Sequence, residues 1–263
     1  MRKAKFVGKR SILVVALFAA LLPVLYNIVF SLWGYGSVSG ELEGFSLQSY
    51  YEVFLARPDF LAKFWKSLLL TGTIVVGQVL VSVLAGYGFS QYRFPGKEVL
   101  FFLVIVMMIM PYQVTLVSNH VVIRYLHLED TYWALILPGI FSPFGVFLMR
   151  QAFDYSLREC REAAMVDGAG SIRILRKIML PQCRNIIASL AVLSFVDNWN
   201  MVEQPIVYLR DQYKYPLSMF LAQISNGDMG VRCACGMLAL LPVLLLFLYF
   251  SDDLVEGISI SRI

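Results

Sequence analysis

Six apolar stretches, each about 20 residues long, constrain the fold of this chain more than any other feature. A helix of about 20 apolar residues is long enough to cross the hydrocarbon core of a bilayer. Because backbone polar groups in lipid must be satisfied within the segment itself, each stretch is expected to be helical. The stretches cover about residues 11–33, 67–88, 98–118, 131–151, 186–209 and 234–251. The pattern predicts an all-α, polytopic membrane protein with six transmembrane helices.

The composition points to the same class. Only 15% of the 263 residues are charged and 59% are hydrophobic, whereas soluble domains carry roughly 25% charged residues. The net charge of +4 is accounted for by cations beside the predicted spans, so it indicates no nucleic-acid partner. The lipid bilayer is the partner that this composition implies.

The first apolar stretch is predicted to be a retained membrane anchor. A signal peptide has an apolar region of about 7–15 residues before a small-residue cleavage site. This stretch is longer, follows a basic N-terminus and has no clear cleavage site. The predicted organisation is a cytoplasmic N-terminus (1–10), the anchor helix (11–33), an external loop (34–66), a five-helix core (67–251) with a large loop at about 152–185, and a cytoplasmic tail (252–263).

Lys and Arg residues lie mainly on one side of the predicted spans. With six spans, about two-thirds of the 22 Lys and Arg residues fall on the side of the chain ends. Loops with an excess of these residues face the cytoplasm. The sequence therefore predicts that both termini and the 152–185 loop are cytoplasmic, and that the 34–66 loop is external.

The 152–185 loop contains a charged segment with helix-ending signals. It reads Glu162-Ala163-Ala164-Met165-Val166-Asp167-Gly168-Ala169-Gly170, and Ile178-Met179-Leu180-Pro181 follows. Ser156 and Glu159 fit a capping box, which predicts a short helix. Gly168 then stands where a left-handed conformation favours glycine. From the residues alone, a docking surface for another protein and an ordinary interfacial helical hairpin are equally good interpretations.

The spacing within this loop predicts two further details. Leu157, Cys160 and Ala164 should share one apolar face of the short helix, because residues three and seven positions apart lie on one side. Ser171 is placed to cap a second helix, which Pro181 should limit at its far end.

The fifth apolar stretch contains a polar cluster near the middle of the membrane, made of Asp197, Asn198, Asn200, Glu203 and Gln204, with Trp199 among them. Acidic groups at that depth are costly and usually face a cavity or a partner. Residues three apart share a helix face, so Asp197 and Asn200 are predicted to line one surface while Glu203 contacts something else. Trp199 could offer a stacking face to a sugar ring. A polar contact between helices or with a partner subunit is the competing interpretation.

The large loop resembles the EAA loop of ATP-binding-cassette importer permeases, in which E-A-A-x-x-D-G-A is followed by I-x-L-P. Other runs resemble carbohydrate-importer permeases, so the similarity extends over most of residues 45–225. These runs are Tyr92–Lys97, Met110–Thr115, Thr131–Pro138, Ser142–Gln151, and Trp199-Asn200 with Pro205–Val207. The resemblance is closest to the six-span subunit of maltose-type systems.

The resemblance implies a machine whose other parts lie on other chains. In this family two permease subunits form the path, a dimer of ATPase subunits binds ATP and Mg, and an external binding protein delivers the sugar. The second permease is expected to be a different chain. Each EAA loop places a coupling helix in a cleft of one ATPase subunit. That role falls here on Glu162, Ala163, Ala164, Asp167, Gly168 and Ala169, and the expected location is a prokaryotic inner membrane.

The chain also departs from the family pattern. Ser156-Leu157 and Asn185 stand where the family often has proline, and Met201–Gln204 stands where it usually has aromatic and apolar residues. The last departure bears on the substrate. A permease for a non-sugar solute is therefore the alternative within the same family.

Two other classes of protein compete with this interpretation. A membrane enzyme would need a catalytic constellation, but His120 and His127 are the only histidines, and no zinc-protease, nucleophile-elbow or Walker motif occurs. No catalytic, cofactor-binding or metal-ligating residues are therefore predicted, and ATP hydrolysis is expected on a partner. A channel or secondary transporter needs no ATPase-docking loop, so co-purification of an ATPase would distinguish it.

Overall fold

A computed structural model describes residues 2–35, 42–56, 58–156, 158–224 and 229–251. The described residues are mainly helical, as the sequence predicts, with one short antiparallel pair of strands. The predicted tail, 252–263, lies outside them. By its internal contacts the chain divides into two units, residues 1–64 with 220–242 and residues 65–219 with 243–263.

The elements follow one another as a series of helices. In chain order they are α1 (Arg2–Leu32), β1 (Trp33–Tyr35), β2 (Leu42–Phe45), α2 (Gln48–Tyr51), a π-helical turn (Glu52–Ala56), α3 (Pro58–Gln91), α4 (Lys97–Ile109), α5 (Tyr112–Tyr125), α6 (Trp133–Ile140), α7 (Pro143–Ser156), α8 (Arg158–Val166), α9 (Ser171–Ile174), a π-helical turn (Leu175–Met179), α10 (Leu180–Gln182), α11 (Arg184–Trp199), α12 (Glu203–Tyr208), a 3₁₀ turn (Gln212–Lys214), α13 (Leu217–Gln223) and α14 (Met229–Tyr249).

The first unit contains most of the segment predicted as the external loop, 34–66. There β1 and β2 pair antiparallel, with Trp33 opposite Phe45. The Tyr50 hydroxyl donates a hydrogen bond to Ser31 Oγ at 2.9 Å, which ties α2 to α1. Helix α3 begins within this segment, at Pro58, whose fixed φ suits the first helical turn. The segment is therefore structured over much of its length.

The described residues contain four helical segments that are long and apolar enough to cross a membrane, one of which joins α6 and α7. They are Val15–Leu32 within α1, α3, the stretch Trp133–Asp154, and α14. Two further candidates are bent pairs, α4 with α5 at 110° and Ser171–Gln182 with α11 at 76°. The six predicted spans correspond to six in the structure only if each bent pair counts as one span.

Helix α4 ends where a proline prevents its continuation. Pro111 has no backbone N–H, and its ring disfavours the helical conformation at the preceding residue. Met110 is accordingly extended, with φ −64° and ψ 136°. The prediction of an uninterrupted helix over 98–118 is therefore wrong, because α4 and α5 meet at a sharp bend.

The predicted helix over 186–209 is also interrupted. Helix α11 ends at Trp199, and the separate helix α12 begins at Glu203. Pro205 lies in the first turn of α12, where its missing N–H leaves no intrahelical bond unmade. In a continuous helix Pro205 would remove the bond to residue 201, so the break places the proline where it is tolerated.

An apolar cluster joins α3 and α7 to the segment that follows α8. Its buried members include Tyr87, Met149, Phe153, Ile174 and Met179. The two helices approach closely at Gly86 of α3. A Cβ added there would lie 2.6 Å from Met149 Cβ and 2.9 Å from the backbone nitrogen of Arg150. Helices α3 and α7 can therefore approach this closely only because Gly86 has no side chain.

In the second unit, Asp130 links the loop before α6 to the segment that follows α12. Its carboxylate accepts a hydrogen bond from Lys214 Nζ at 2.6 Å and from the backbone N–H groups of Arg210 and Asp211, each at 3.1 Å. The Lys214 bond, followed by the two backbone bonds, lowers the pKa of Asp130 to about 2. The carboxylate is thus ionised at neutral pH, and the Lys214 pairing persists there.

Candidate functional site

Helix α8, which carries the EAA residues, ends in a complete Schellman motif. The N–H of Gly168 donates to the Met165 carbonyl at 3.1 Å, and the N–H of Ala169 donates to the Ala164 carbonyl at 2.9 Å. Gly168 has φ +76°, so the left-handed conformation predicted for it is confirmed. In this motif the two bonds satisfy carbonyls that the helix end would otherwise leave without a donor. The end of α8 is therefore defined by its backbone.

The inner side of α8 differs from the predicted one. Ala164 and Ala169 pack against the α3–α7 cluster, and Arg161 donates a hydrogen bond to Gln91 Oε1 at the end of α3. Cys160 is exposed, so its predicted place on the apolar face is wrong. Leu157 and the side chains of the predicted capping box, Ser156 and Glu159, lie outside the described residues. The packed positions are thus 161 and 164, three residues apart.

The other side of the loop presents exposed apolar side chains. Met165 is 59% exposed, Val166 88% and Ile172 73%. Four of the predicted coupling residues lie on this exposed side, Glu162, Ala163, Asp167 and Gly168. The apolar trio (Met165, Val166 and Ile172) was not among the predicted site residues. Their position in a charged loop outside the apolar stretches is the signal that could have found them.

The second loop helix begins one residue earlier than a Ser171 cap would require. Gly170 is the N-cap residue, in an extended conformation, and Ser171 is the first helical residue, so the predicted cap is wrong. The Ser171 carbonyl accepts a hydrogen bond from the Tyr87 hydroxyl at 3.0 Å. The helical structure was predicted to end at Pro181. It continues to Gln182, and the chain bends at Cys183.

A cavity of about 810 Å³ lies within the second unit, beside the breaks that follow α4 and α11. Its wall has an apolar part and a polar part. The apolar part is rich in methionine and phenylalanine, with Met107, Met108, Met110, Met201, Phe141 and Phe144. The polar part consists of Tyr112, Thr115, Asn119, Asp197, Asn198 and Gln204. Pro111 contributes to the cavity indirectly, because the bend it causes brings Tyr112 and Thr115 to the wall.

The structure separates the residues of the predicted polar cluster and Trp199, and keeps Gln204 in the cavity wall with Asp197 and Asn198. Asp197 and Asn198 line the cavity. Trp199 is only 5% exposed and stacks on Phe195, with ring centroids 5.5 Å apart, so its ring is not available to a sugar. The Asn200 amide donates to the Val196 carbonyl at 2.9 Å, at the end of α11. Glu203 accepts a hydrogen bond from Gln113 of α5 at 3.2 Å.

Of the pair predicted to share a surface, Asp197 and Asn200, only Asp197 lines the cavity. Among the described residues of the cavity wall, Asp197 is accompanied by Asn198 and Gln204 and not by Asn200. The physical reason is the helix end after Trp199. The chain turns there, so that Gln204 of α12 reaches the wall while the Asn200 side chain bonds back to its own helix.

Comparison with known families decides the identity of the chain. A family described as binding-protein-dependent transport system inner membrane component matches residues 78–256, which is well over half of the sequence. The chain belongs to this family. It is therefore an inner-membrane permease component of a transport system that depends on a binding protein.

Individual relatives span most of this permease. Protein LplC of Bacillus subtilis is 29% identical, over 92% of this chain and 89% of the relative. The arabinooligosaccharides transport system permease protein AraQ of Halalkalibacterium halodurans is 28% identical, over 83% and 79%. A crystal structure of a bacterial ABC transporter involved in the import of the acidic polysaccharide alginate contains a chain with a TM-score of 0.81 and 22% identity, covering 96% of this chain and 98% of that one. This last likeness shows that the two chains share a fold.

In this permease, Arg150 of α7 connects the helices next to the EAA loop. Its guanidinium lies 3.3 Å from Glu98 and 3.4 Å from Asp154, and it covers the ring of Phe101 at 3.7 Å from the centroid. Asp154 also accepts a hydrogen bond from Ser90 of α3 at 2.6 Å. One side chain therefore holds α7 against α4 and, through Asp154, against α3.

Replacing Arg150 with methionine is expected to lower the thermal unfolding temperature of the purified permease by several degrees. The change leaves Glu98 and Asp154 without their cation while keeping an apolar chain on Phe101. Arg150→Lys should restore only part of the loss, because an ammonium group lacks the planar fork and the stacking face of guanidinium. Thermal unfolding in detergent measures both. Arg93→Met, at an exposed position, is the control, and an equal loss in that variant would contradict the role of Arg150.

Proposed function

We propose that this permease is the six-span subunit of an ATP-driven importer for oligosaccharides. In this proposal it forms half of the translocation path and couples it to a separate ATPase. Its family depends on binding proteins, and one relative is a permease for arabinooligosaccharides. The observation that supports the coupling role is the exposed apolar trio, in which Met165 and Val166 end α8 and Ile172 follows in α9, after a turn fixed by backbone hydrogen bonds. Exposed apolar patches with a polar rim mark protein interaction sites.

The proposed partners are a dimer of ATPase subunits, a second permease subunit and a binding protein. A dimer of ATP-binding subunits, carrying ATP and Mg, would receive α8 with Glu162, Ala163 and Ala164 and the turn formed by Asp167, Gly168 and Ala169. Of these, Ala164 and Ala169 pack inward and hold the turn on the permease, whereas the other four face outward. A second permease subunit, a different chain, would complete the path, and an external sugar-binding protein would deliver the cargo.

The cavity supports a sugar as the cargo. A sugar ring has two apolar C–H faces and a rim of hydroxyl groups, and binding sites for such ligands combine apolar walls with a few placed polar groups. The methionine and phenylalanine side chains supply an apolar surface for the C–H faces of the ring. Asp197, Asn198 and Gln204 supply acceptors and donors for hydroxyls. We assign Asp197 and Asn198 to the path, and Glu203 to a contact near it.

The coupling role is tested by Val166→Asp. A carboxylate at a position 88% exposed should leave this chain folded, but a charge in an apolar interface should reduce the amount of ATPase that co-purifies from native membranes by roughly tenfold. The control is Tyr213→Asp, which places the same charge at a position 80% exposed elsewhere in the same unit. Unchanged recovery of the ATPase from the Val166 variant would refute the proposed docking surface.

The proposed orientation places both termini and the EAA loop in the cytoplasm of the prokaryotic cell. The natural cysteines test it, because Cys160 is exposed in that loop while Cys183, Cys233 and Cys235 are buried. A membrane-impermeant maleimide should label the protein in inside-out vesicles and leave it unlabelled in intact cells. Cys160→Ser should remove the signal. Labelling of Cys160 in intact cells would place the loop outside and reverse the topology.

A further inference from the structure

We infer that the cavity of this permease admits uncharged oligosaccharides and discriminates against cargo that carries carboxylate or phosphate groups. The inference rests on the proposed function, because it concerns the cargo of the same path. Two of the three chains compared above make the question specific. One belongs to a system for arabinooligosaccharides, whose sugars are neutral, and the other to a transporter for the acidic polysaccharide alginate. Cargo charge is therefore a property in which such systems differ.

The wall of the cavity contains a carboxylate and, among its described residues, no lysine, arginine or histidine. Asp197 is the acidic member, and its neighbours Asn198 and Gln204 are neutral amides. An anionic sugar in this cavity would find no cation to pair with among the described residues of the wall. A neutral sugar would find an acceptor for its hydroxyl protons in Asp197 and mixed donors and acceptors in the two amides.

A second carboxylate lies close to the wall. Glu203 precedes Gln204 in α12 and is exposed, held by the Gln113 amide at 3.2 Å. Two cations of the same unit are already paired, Arg210 with Glu129 at 3.3 Å and Lys214 with Asp130 at 2.6 Å. The acidic side chains at the cavity are therefore Asp197 in its wall and Glu203 beside it.

The size of the effect follows from the electrostatics of partly buried sites. Like charges several ångströms apart in a medium of effective dielectric constant near 20 repel strongly enough to reduce occupancy on the order of tenfold or more. A glycan with one carboxylate on every sugar would meet this repulsion repeatedly as it passes. A neutral glycan would meet none of it.

Charged thiol reagents measure the charge of the cavity without any cargo. Met110 lines the cavity and is 41% exposed, so Met110→Cys, in a Cys160→Ser background, places a thiol in the wall. In the complete, detergent-purified importer, a cationic methanethiosulfonate should react with this thiol faster than an anionic one of similar size. The ratio of the two rates should exceed that of a free thiol in solution by about tenfold, and Asp197→Asn should bring it close to the solution value.

Each outcome of this experiment decides the inference. A ratio equal to or below the solution value would overturn it, since the cavity would then carry no excess negative charge. A raised ratio that falls with Glu203→Gln and not with Asp197→Asn would overturn the assignment to Asp197. A raised ratio that Asp197→Asn abolishes supports it.

An uptake measurement separates this inference from the proposed function. Proteoliposomes with the complete importer and its binding protein are given arabinotriose or trigalacturonate as the labelled sugar. ATP-dependent uptake of arabinotriose that exceeds uptake of trigalacturonate supports the inference. Equal uptake of both overturns it and leaves the proposed function standing. Uptake of neither, with the raised thiol ratio intact, would refute oligosaccharide import while the charge of the cavity stands.

Discussion

Replacing Gly168 with valine is expected to abolish most sugar-dependent ATP hydrolysis and transport while leaving insertion of the permease into the membrane intact. Gly168 has φ +76°, a conformation that costs a residue with a Cβ about 1–2 kcal/mol and a β-branched one more. A cost of that size corresponds to roughly a 5- to 30-fold loss of the conformation. The Schellman turn after α8 would then be lost. Met165 and Val166 would no longer keep their positions relative to the rest of the loop.

Gly170 provides a matched control for this variant. It lies two residues further on, and a Cβ at either position would meet no atom within 4 Å, so neither valine is excluded by packing. The two glycines differ in conformation, because Gly170 has φ −71° and ψ 156°, which any residue adopts. Gly170→Val should therefore retain sugar-stimulated ATPase activity and uptake in proteoliposomes. Equal losses in the two variants would show that bulk in this turn matters and that the left-handed conformation does not.

The turn at Gly168 could be predicted from the sequence because its causes are local. A helix that stops before Asp167-Gly168 needs a residue that tolerates positive φ, and glycine is that residue. The direction in which the helix faces was harder to predict. Its inner side is decided by what α3 and α7 present to it, such as Gln91, and these partners are distant in the sequence. The pattern of apolar residues alone predicts a face shared by Cys160 and Ala164, and it does not show that Cys160 is exposed while Ala164 packs on the cluster.

The residues of the polar cluster show the same division between local and distant causes. A polar cavity near Asp197 could be inferred from a carboxylate within an apolar stretch. The burial of Trp199 and the turn at Asn200 could not be inferred once the stretch was taken as a single helix. Pro205 was the available signal, because a proline cannot sit in the middle of an unbroken helix without loss of a hydrogen bond. Likewise, Pro111 was the available signal in the 98–118 stretch, where α4 and α5 meet at 110°.

The length and apolar character of a stretch also cannot distinguish side chains that face lipid from those that face a protein. Leu69 is 71% exposed in α3, and Val166 is 88% exposed in the loop. The first lies in a long apolar helix, where lipid would cover it. The second is flanked by charged residues, where lipid would not. Only the combination of exposure with a polar surrounding singles out Val166 and Met165 as candidates for a protein interface.

Substitution of Gly86 with alanine is expected to have the largest effect on the stability of the permease. The added methyl group would lie 2.6 Å from Met149 Cβ, 2.9 Å from the Arg150 nitrogen and 3.0 Å from the Met149 carbonyl carbon. Two of these three atoms belong to the backbone of α7, and Met149 is fully buried, so no side chain can rotate away. Overpacking of this kind typically costs about 1–3 kcal/mol.

Gly88, two residues further along α3, provides the matched control for this prediction. A Cβ there would meet nothing within 4 Å, so Gly88→Ala should be neutral or stabilising, by up to about 1 kcal/mol from helix propensity. The two alanine variants therefore differ only in whether α7 is in the way, and thermal unfolding in detergent should shift in opposite directions. Because α7 carries Arg150 and leads into the EAA helix, Gly86→Ala should also disturb coupling. Equal unfolding temperatures for the two variants would mean that α3 and α7 do not approach as closely as this packing requires.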